Sequence, residues 1–332
     1  MSTQKPIVAV TMGDPAGIGS EIIIKAYPDL REHARVVVFG DAAVLKSSID
    51  VCDSPLTVRR VGESFEFGTP EEIPVLDFGL IDDVEYGELH EEYGEASLAY
   101  IQRAIEFAKA GDIDAIATAP INKQATRMAG SDFAGHTGML ASHTNTENYA
   151  MLLIEDQLRV SHVSTHISLR EAVEQVTSDN VLATIEVTAS ALEGLGVADP
   201  TIAVAGLNPH ASDGGLLGNE DAEEIKPAVE GAVENGIDVV GPESPDTVFK
   251  QAAGGQYDAV VAMYHDQGHI PVKMLGALSD RTVSGVNMTI GLPIVRTSVD
   301  HGTAFDIAGQ GIASEASLID AVETAARVAT AD

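Results

Sequence analysis

The chain has 332 residues, 45% of them hydrophobic, with 19 basic against 51 acidic side chains and a formal net charge of -32. That length gives ample core and favours two lobes. The lack of any apolar run of about 18 residues argues against a membrane-spanning helix, and the charge excludes a nucleic-acid binder, whose affinity comes from neutralising phosphates with Lys and Arg. The acid is spread along segments such as Glu63 to Glu92 rather than gathered in a tail. Such a surface suits a salt-rich, halophilic cytoplasm, where screening tempers self-repulsion. Cys52, the single cysteine, rules out an internal disulfide framework and suits a reducing cytosol. The opening residues run into a strand-like segment with no signal-peptide pattern, which predicts a cytoplasmic protein. In so acidic a chain, Lys123, Lys273 and Arg296 stand out because each sits in a Gly-rich or apolar segment.

Short β-branched runs predict strands over Ile7–Met12, Arg35–Gly40, Ile113–Thr118, Ala150–Ile154, Arg159–Ser164, Thr201–Leu207 and Tyr257–Tyr264. Between them, helical patterns cover Glu21–Leu30, Ala96–Ala110, Leu169–Val176, Val181–Leu195 and Glu220–Asn235, with a last helix over Ser317–Ala329. Leu98, Ile101, Ile105 and Ala108 have helical spacing, as do Leu318, Val322, Ala325 and Ala329. The alternation predicts an α/β fold with a mainly parallel sheet, and ligands beyond the carboxyl ends of its strands. That rule selects the turns after Met12, Thr118, Leu207 and Tyr264. The acidic stretch Gly62–Glu92 reads as irregular surface, and Gly130–Gly135 as a break between lobes.

The strand-end turns carry the chemistry. After the first strand, Gly13-Asp-Pro-Ala-Gly-Ile-Gly-Ser-Glu21 allows a tight turn, with Ser20 placed to cap the next helix. It lacks the third glycine of the dinucleotide fingerprint. Thr118-Ala-Pro-Ile-Asn-Lys123 also follows a strand, and Pro120 suits a helix's first turn, so Lys123 would lie where an anion can be held. Eight of the ten histidines fall between His136 and His301. His166, His210 and His265 each follow a strand, so three imidazoles at one sheet edge could hold a divalent ion or stand as separate hydrogen-bonded fixtures. His162 lies inside a strand and reads as structural, whereas His33, His90 and His143 read as surface. His136 is flanked by a glycine that lets a ligand approach. His269 and His301 suit proton donation or hydrogen bonding. Arg296 interrupts an apolar run, which calls for a bound anion or a paired carboxylate. His301–Gly311 is a polar, glycine-rich loop suited to close backbone contact with a nucleotide.

Six segments in order over nearly the whole chain resemble the 4-hydroxythreonine-4-phosphate dehydrogenase family. They are Gly13-Asp-Pro-Ala-Gly-Ile-Gly19, Thr118-Ala-Pro-Ile-Asn-Lys123, Gly135-His-Thr137, Gly206-Leu-Asn-Pro-His-Ala211, Tyr264-His-Asp-Gln-Gly268 and Arg296-Thr-Ser-Val-Asp-His-Gly-Thr-Ala304. The His301–Gly311 loop also resembles the cofactor loop of isopropylmalate and isocitrate dehydrogenases. The resemblance implies an isopropylmalate dehydrogenase-like α/β fold of two α/β/α lobes with an active site in the cleft. The first lobe would be residues 1–128 plus 286–332 (cofactor side), the second 129–285 (metal, substrate and dimer side). It implies an obligate homodimer whose active site uses both subunits. It further implies a divalent metal on His166, His210 and His265. Substrate contacts would fall on His136, Thr137, Lys273, Asn287 and Arg296, and NAD on His301, Gly302, Thr303, Ala304, Asp306, Ile307 and Gly309. Asp246 and Asp266 would orient the metal or take part in proton transfer, and Lys273 would protonate the product carbon.

The implied reaction is NAD-linked oxidation of a phosphorylated four-carbon 3-hydroxy acid followed by decarboxylation. A metal would lower the substrate hydroxyl's pKa and stabilise the charge that forms as carbon dioxide leaves. The segments Val163–Arg170 and Val261–Lys273 resemble the branch acting on 4-phospho-D-threonate or 4-phospho-D-erythronate, which gives dihydroxyacetone phosphate. The alternative is the vitamin B6 branch, acting on 4-phosphooxy-L-threonine. Departures from the family pattern are Gly138 in place of an acidic residue, Ser212-Asp213 in place of Gly-Glu, and a longer Ala277–Ser284 segment. Acyl transfer to phosphate on a related fold needs neither the three histidines nor the His301 loop. Nitrogen ligands suit zinc, cobalt or manganese, while magnesium would need added oxygen ligands. The resemblance implies NAD rather than NADP, and few basic residues are available to meet a 2′-phosphate.

Overall fold

Runs such as Arg35-Val-Val-Val-Phe-Gly40 are apolar on both faces, the signature of a parallel strand covered by helices. In the computed structural model, which describes residues 5–133, 135–278 and 285–331, such runs alternate with helices throughout. The order is β1 (Ile7–Thr11), α1 (Gly19–His33), β2 (Arg35–Gly40), α2 (Ala42–Val51), β3 (Thr57–Val61), β4 (Glu72–Asp77), α3 (Glu91–Ala110), β5 (Ala115–Thr118), α4 (Lys123–Met128) and α5 (His136–Thr144). There follow β6 (Ala150–Glu155), β7 (Leu158–His162), α6 (Leu169–Gln175), α7 (Ser178–Gly194), β8 (Ile202–Ala205), α8 (Lys226–Glu234), β9 (Val239–Glu243), α9 (Val248–Ala253), β10 (Ala259–Ala262) and α10 (His265–Leu278). The chain closes with β11 (Val286–Ile290), β12 (Val295–Val299) and α11 (Ala316–Ala329). Among the described residues, no helix is long and apolar enough to cross a membrane.

The chain divides into two compact units. Unit 1 comprises residues 1–144, 282–286 and 293–330; unit 2 comprises 145–281 and 287–292, with the last two residues. In unit 1 the strand order is β3-β4-β2-β1-β5-β12, and every pairing is parallel. In unit 2 the order is β11-β6-β7-β10-β8-β9; β7, β10, β8 and β9 pair in parallel, and β6 runs antiparallel to β7. The fold class is therefore α/β with a mostly parallel sheet. The unit 2 core gathers Leu153, Val160, Ala203, Val260, Val248 and Val272, all within a few per cent of full burial.

Three local expectations need correction. The acidic stretch Gly62–Glu92 is not all irregular, because Glu72–Asp77 forms β4, whose Ile73 and Val75 are fully buried. In the same stretch Phe65 packs on Phe39 and Phe107. Ser20 does not cap α1: the cap position is Ile18, and Ser20 Oγ instead accepts from Ser48 Oγ at 2.7 Å. Pro120 precedes α4 rather than opening it, and Asn122 is the cap, its side chain accepting from the backbone N–H groups of Gln124 and Ala125. The Ala277–Ser284 segment lies outside the described residues beyond Leu278, as does Ala134.

Candidate active-site residues

In unit 1, parallel β5 and β12 deliver Thr118 and Arg296 side by side. Arg296 is 2% exposed, and its Nη2 donates to Thr118 Oγ1 at 2.6 Å. Burial pushes its pKa down to about 9, so the guanidinium is still charged at neutrality. His136 opens α5. Its Nε2 is shielded and, among the described residues, has no hydrogen-bond partner. Burial, then the Arg296 and Lys123 charges, hold its pKa well below the usual histidine range. A neutral imidazole facing two cations is an arrangement that a doubly charged anion would complete. Thr137 follows on the same helix turn, and Lys123 is exposed at the head of α4.

The turn after β1 supports this edge. Asp14 accepts from Ala16 N at 2.9 Å, and its own N–H donates to Pro120 O at 3.0 Å. Burial raises its pKa to about 6, against the lowering effects of the Ala16 and Asn122 N–H groups and the His90 charge. The His301–Gly311 loop also belongs to unit 1. Ala304, Gly309 and Gly311 take positive φ values there, and Ile18 N donates to Thr303 O at 3.0 Å. His301 Nδ1 lies 3.0 Å from Gly302 O, and its Nε2 has no hydrogen-bond partner among the described residues.

In unit 2, Gln267 ties two strand ends together. It accepts from Met263 N and donates to Gly206 O, both at 2.7 Å. Beyond β7 and β10, the rings of His166 and His265 lie 5.4 Å apart. His265 Nδ1 meets Asp266 Oδ1 at 2.7 Å, which leaves Nε2 for another partner. His269 stacks on His265 at 3.6 Å. His210 stands in the Pro209–Gly215 turn, exposed, 3.5 Å from Ser244 Oγ and 3.8 Å from Asp246. The Ser244 hydroxyl, at 2.6 Å, and then the nearby His210 hold the Asp246 carboxyl below its usual range. Two imidazoles are thus adjacent and fit a shared ion. No group of three metal-ligating residues assembles within one copy among the described residues. Lys273 is exposed on α10, while Asn287, on β11, donates to Met151 Sδ at 3.1 Å. His162 is buried in β7 and 3.3 Å from Met151 O, a core histidine.

The sequence reading missed Asp14 and Glu21 as individual residues. Both lie in a turn it had selected, but their burial and their partners are long-range facts. It also missed an apolar cavity of about 760 Å³ in unit 2, lined by Phe249, Ile270, Met274 and Leu278 and bordered by Asp246 and Asp266.

Residues 32–325 match the family described as pyridoxal phosphate biosynthetic protein PdxA. The chain belongs to this family. It is 46% identical to the D-threonate 4-phosphate dehydrogenase of Cupriavidus necator, with 99% of both chains covered. It is 43% identical to the 4-hydroxythreonine-4-phosphate dehydrogenase of Trichlorobacter lovleyi, again with 99% of both chains covered. Among solved structures, the 4-hydroxythreonine-4-phosphate dehydrogenase of Klebsiella pneumoniae aligns with a TM-score of 0.87 at 44% identity and 99% coverage of both chains. The resemblance drawn from six sequence segments therefore holds, and the chain is a dehydrogenase of the PdxA family.

Proposed function

We propose that this dehydrogenase oxidises and decarboxylates 4-phospho-D-threonate or 4-phospho-D-erythronate, giving dihydroxyacetone phosphate and carbon dioxide. The observation that carries the substrate choice is the 46% identity, over 99% of both chains, to a D-threonate 4-phosphate dehydrogenase. The 43% identical relative that acts on 4-hydroxythreonine 4-phosphate keeps vitamin B6 synthesis as the second reading.

The proposed roles follow from the groups present. Arg296, His136 and Thr137 bind the phosphate or carboxylate, and Asn287 and Lys273 are further candidate substrate contacts. The guanidinium's planar fork is held by Thr118, so little side-chain freedom is lost when an anion arrives. His166 and His265, with His210 as the third imidazole, hold a divalent ion of zinc, cobalt, manganese or magnesium type. In this reading the active site is shared between the two subunits of a homodimer, and the second copy would complete the ligand set. The exposed Ile270, Met274 and Leu278 on α10 provide an apolar face for that second copy. The ion supplies Lewis acidity toward the substrate hydroxyl, and NAD, against the His301–Gly311 loop, supplies the hydride acceptor. Asp266 orients His265 through Nδ1, and Asp246 stands beside His210 to orient it or pass a proton. Lys273 protonates the product carbon. The net charge of -32 suits work in a salt-rich cytoplasm.

The test is NADH formation in molar salt with added divalent metal. The three phosphorylated acids are offered in parallel, each with and without chelator. Chelator-sensitive turnover of a sugar-acid phosphate supports the main reading. Turnover of 4-phosphooxy-L-threonine alone moves the chain to the second reading, and no turnover of any of the three rejects both.

A further inference from the structure

The Gly13–Glu21 turn was read from sequence as a possible ligand contact, but its last residue points elsewhere. Glu21, in the first turn of α1, is fully buried. Its Oε1 accepts from Gly309 N, and its Oε2 accepts from Gly311 N at 2.7 Å. Both carboxylate oxygens are therefore spent on backbone N–H groups 288 and 290 residues away. The two glycines have φ of 79° and 68°, which glycine adopts without strain but from which its backbone freedom lets it depart, so bonds to Glu21 restrict the loop to this shape.

Neighbouring contacts brace the same loop. A Cβ on Gly17 would stand 3.0 Å from Thr303 Cβ, and one on Gly309 would stand 2.9 Å from the Tyr86 ring. Tyr86 OH lies 2.9 Å from Ser48 Oγ, which in turn donates to Ser20 Oγ. Downstream, Lys25 of the same helix donates to Ala313 O and pairs with Glu315 at 3.0 Å. Every one of these residues lies in unit 1.

We propose that Glu21 is the positioning residue of the dehydrogenase's cofactor loop: its buried carboxylate clamps the Gly309 and Gly311 amides and so fixes the backbone that receives the nucleotide. Glu21 does not touch the cofactor itself. The inference rests on the reading of His301–Gly311 as that loop. A carboxylate is the one side-chain group of this size that accepts at both ends; a glutamine of equal length would turn an NH2 donor against one of the two amides.

The experiment compares wild type with Glu21→Gln, Gly17→Ala and His301→Ala. NADH affinity is measured by fluorescence titration, and amide hydrogen exchange is followed in the 301–311 segment. In Glu21→Gln, NADH affinity should fall about tenfold, and the Gly309 and Gly311 amides should exchange about tenfold faster without cofactor. KM for NAD should rise while KM for the phosphorylated acid stays unchanged. Gly17→Ala leaves the carboxylate in place and presses on Thr303 by a few tenths of an ångström, so a loss of about threefold is expected. If Glu21→Gln does not fold, Glu21→Asp carries the test: it keeps both acceptors but withdraws them by one methylene, so the same fall in NADH affinity and faster amide exchange are expected. His301→Ala reports on the loop itself. If it weakens NADH binding while both other variants bind and exchange like wild type, the clamp is wrong and the loop reading stands. If His301→Ala binds NADH like wild type, the loop reading fails and takes the clamp with it. A uniform loss of active fraction in Glu21→Gln, with both KM values unchanged, would also overturn the proposal.

Discussion

In unit 1 the groups at the strand ends are buried and cross-braced. Arg296 is 2% exposed and bonded to Thr118, Asp14 is 1% exposed, and Glu21 holds two amides of a distant loop. In unit 2 the corresponding edge is open: the side chains of His210 and Asp246 are 64% and 59% exposed, and Asp266 is 72% exposed. The contrast separates two ways of preparing a site. Buried groups bonded to other parts of one chain keep their geometry without a ligand. The exposed His210 and Asp246 side chains instead remain solvated, and the ion proposed for that edge would have to order them on binding.

The sharpest way to break this contrast is His265→Ala. It should reduce NADH formation about 10³-fold at saturating metal while leaving the unfolding temperature nearly unchanged. A large fall in thermal stability would mean that the open edge is structural after all. Arg296→Lys is the matching change in unit 1. A lysine keeps the charge but loses the fork, so kcat/KM for the phosphorylated acid should fall about 100-fold. Because the residue is buried, a calorimetric scan should show lost stability too, which the unit 2 change should not.

His162 sharpens the comparison through pH. Burial, aided by the charge of His269 and other nearby histidines, depresses its pKa from 6.5 to about 3. The ring is neutral in the fold, whereas the unfolded chain takes up a proton below about 6.5. The stability from this burial is therefore complete above 6.5 and drains away as pH falls toward 3, at up to about 1.4 kcal/mol per pH unit. Denaturant midpoints measured from pH 7 to 4 should fall for the wild type and fall less steeply for His162→Gln. Equal slopes would remove His162 as the titrating group. The smallest effect belongs to Asn122→Ala, which deletes a cap that accepts two N–H groups. It should cost about 1 kcal/mol, and denaturant titration at constant pH would detect it.

How much of this was legible in the sequence depended on whether a signal was local. β2 was read with its observed bounds because five of its six residues are buried and apolar or glycine. β3 was missed because Arg59 and Arg60 interrupt an edge strand, and β4 was hidden by the acid around it. α10 was missed because Pro271 lies inside it and histidines open it. The site residues were named from motif resemblance, and their placement at strand ends followed from the α/β alternation. What no local pattern carries is a bond such as Glu21 to Gly311, or which imidazoles share a space.

His166 and His210 sit at φ of 22° and 55°, where a β-carbon is unwelcome and glycine or asparagine would rest more easily. If the two imidazoles serve the ion proposed above, that requirement would hold them at positions their own backbone preference disfavours. In a lineage that no longer needed the reaction, those two histidines should be among the first residues to drift, toward glycine or asparagine, and the fold would gain stability as they went.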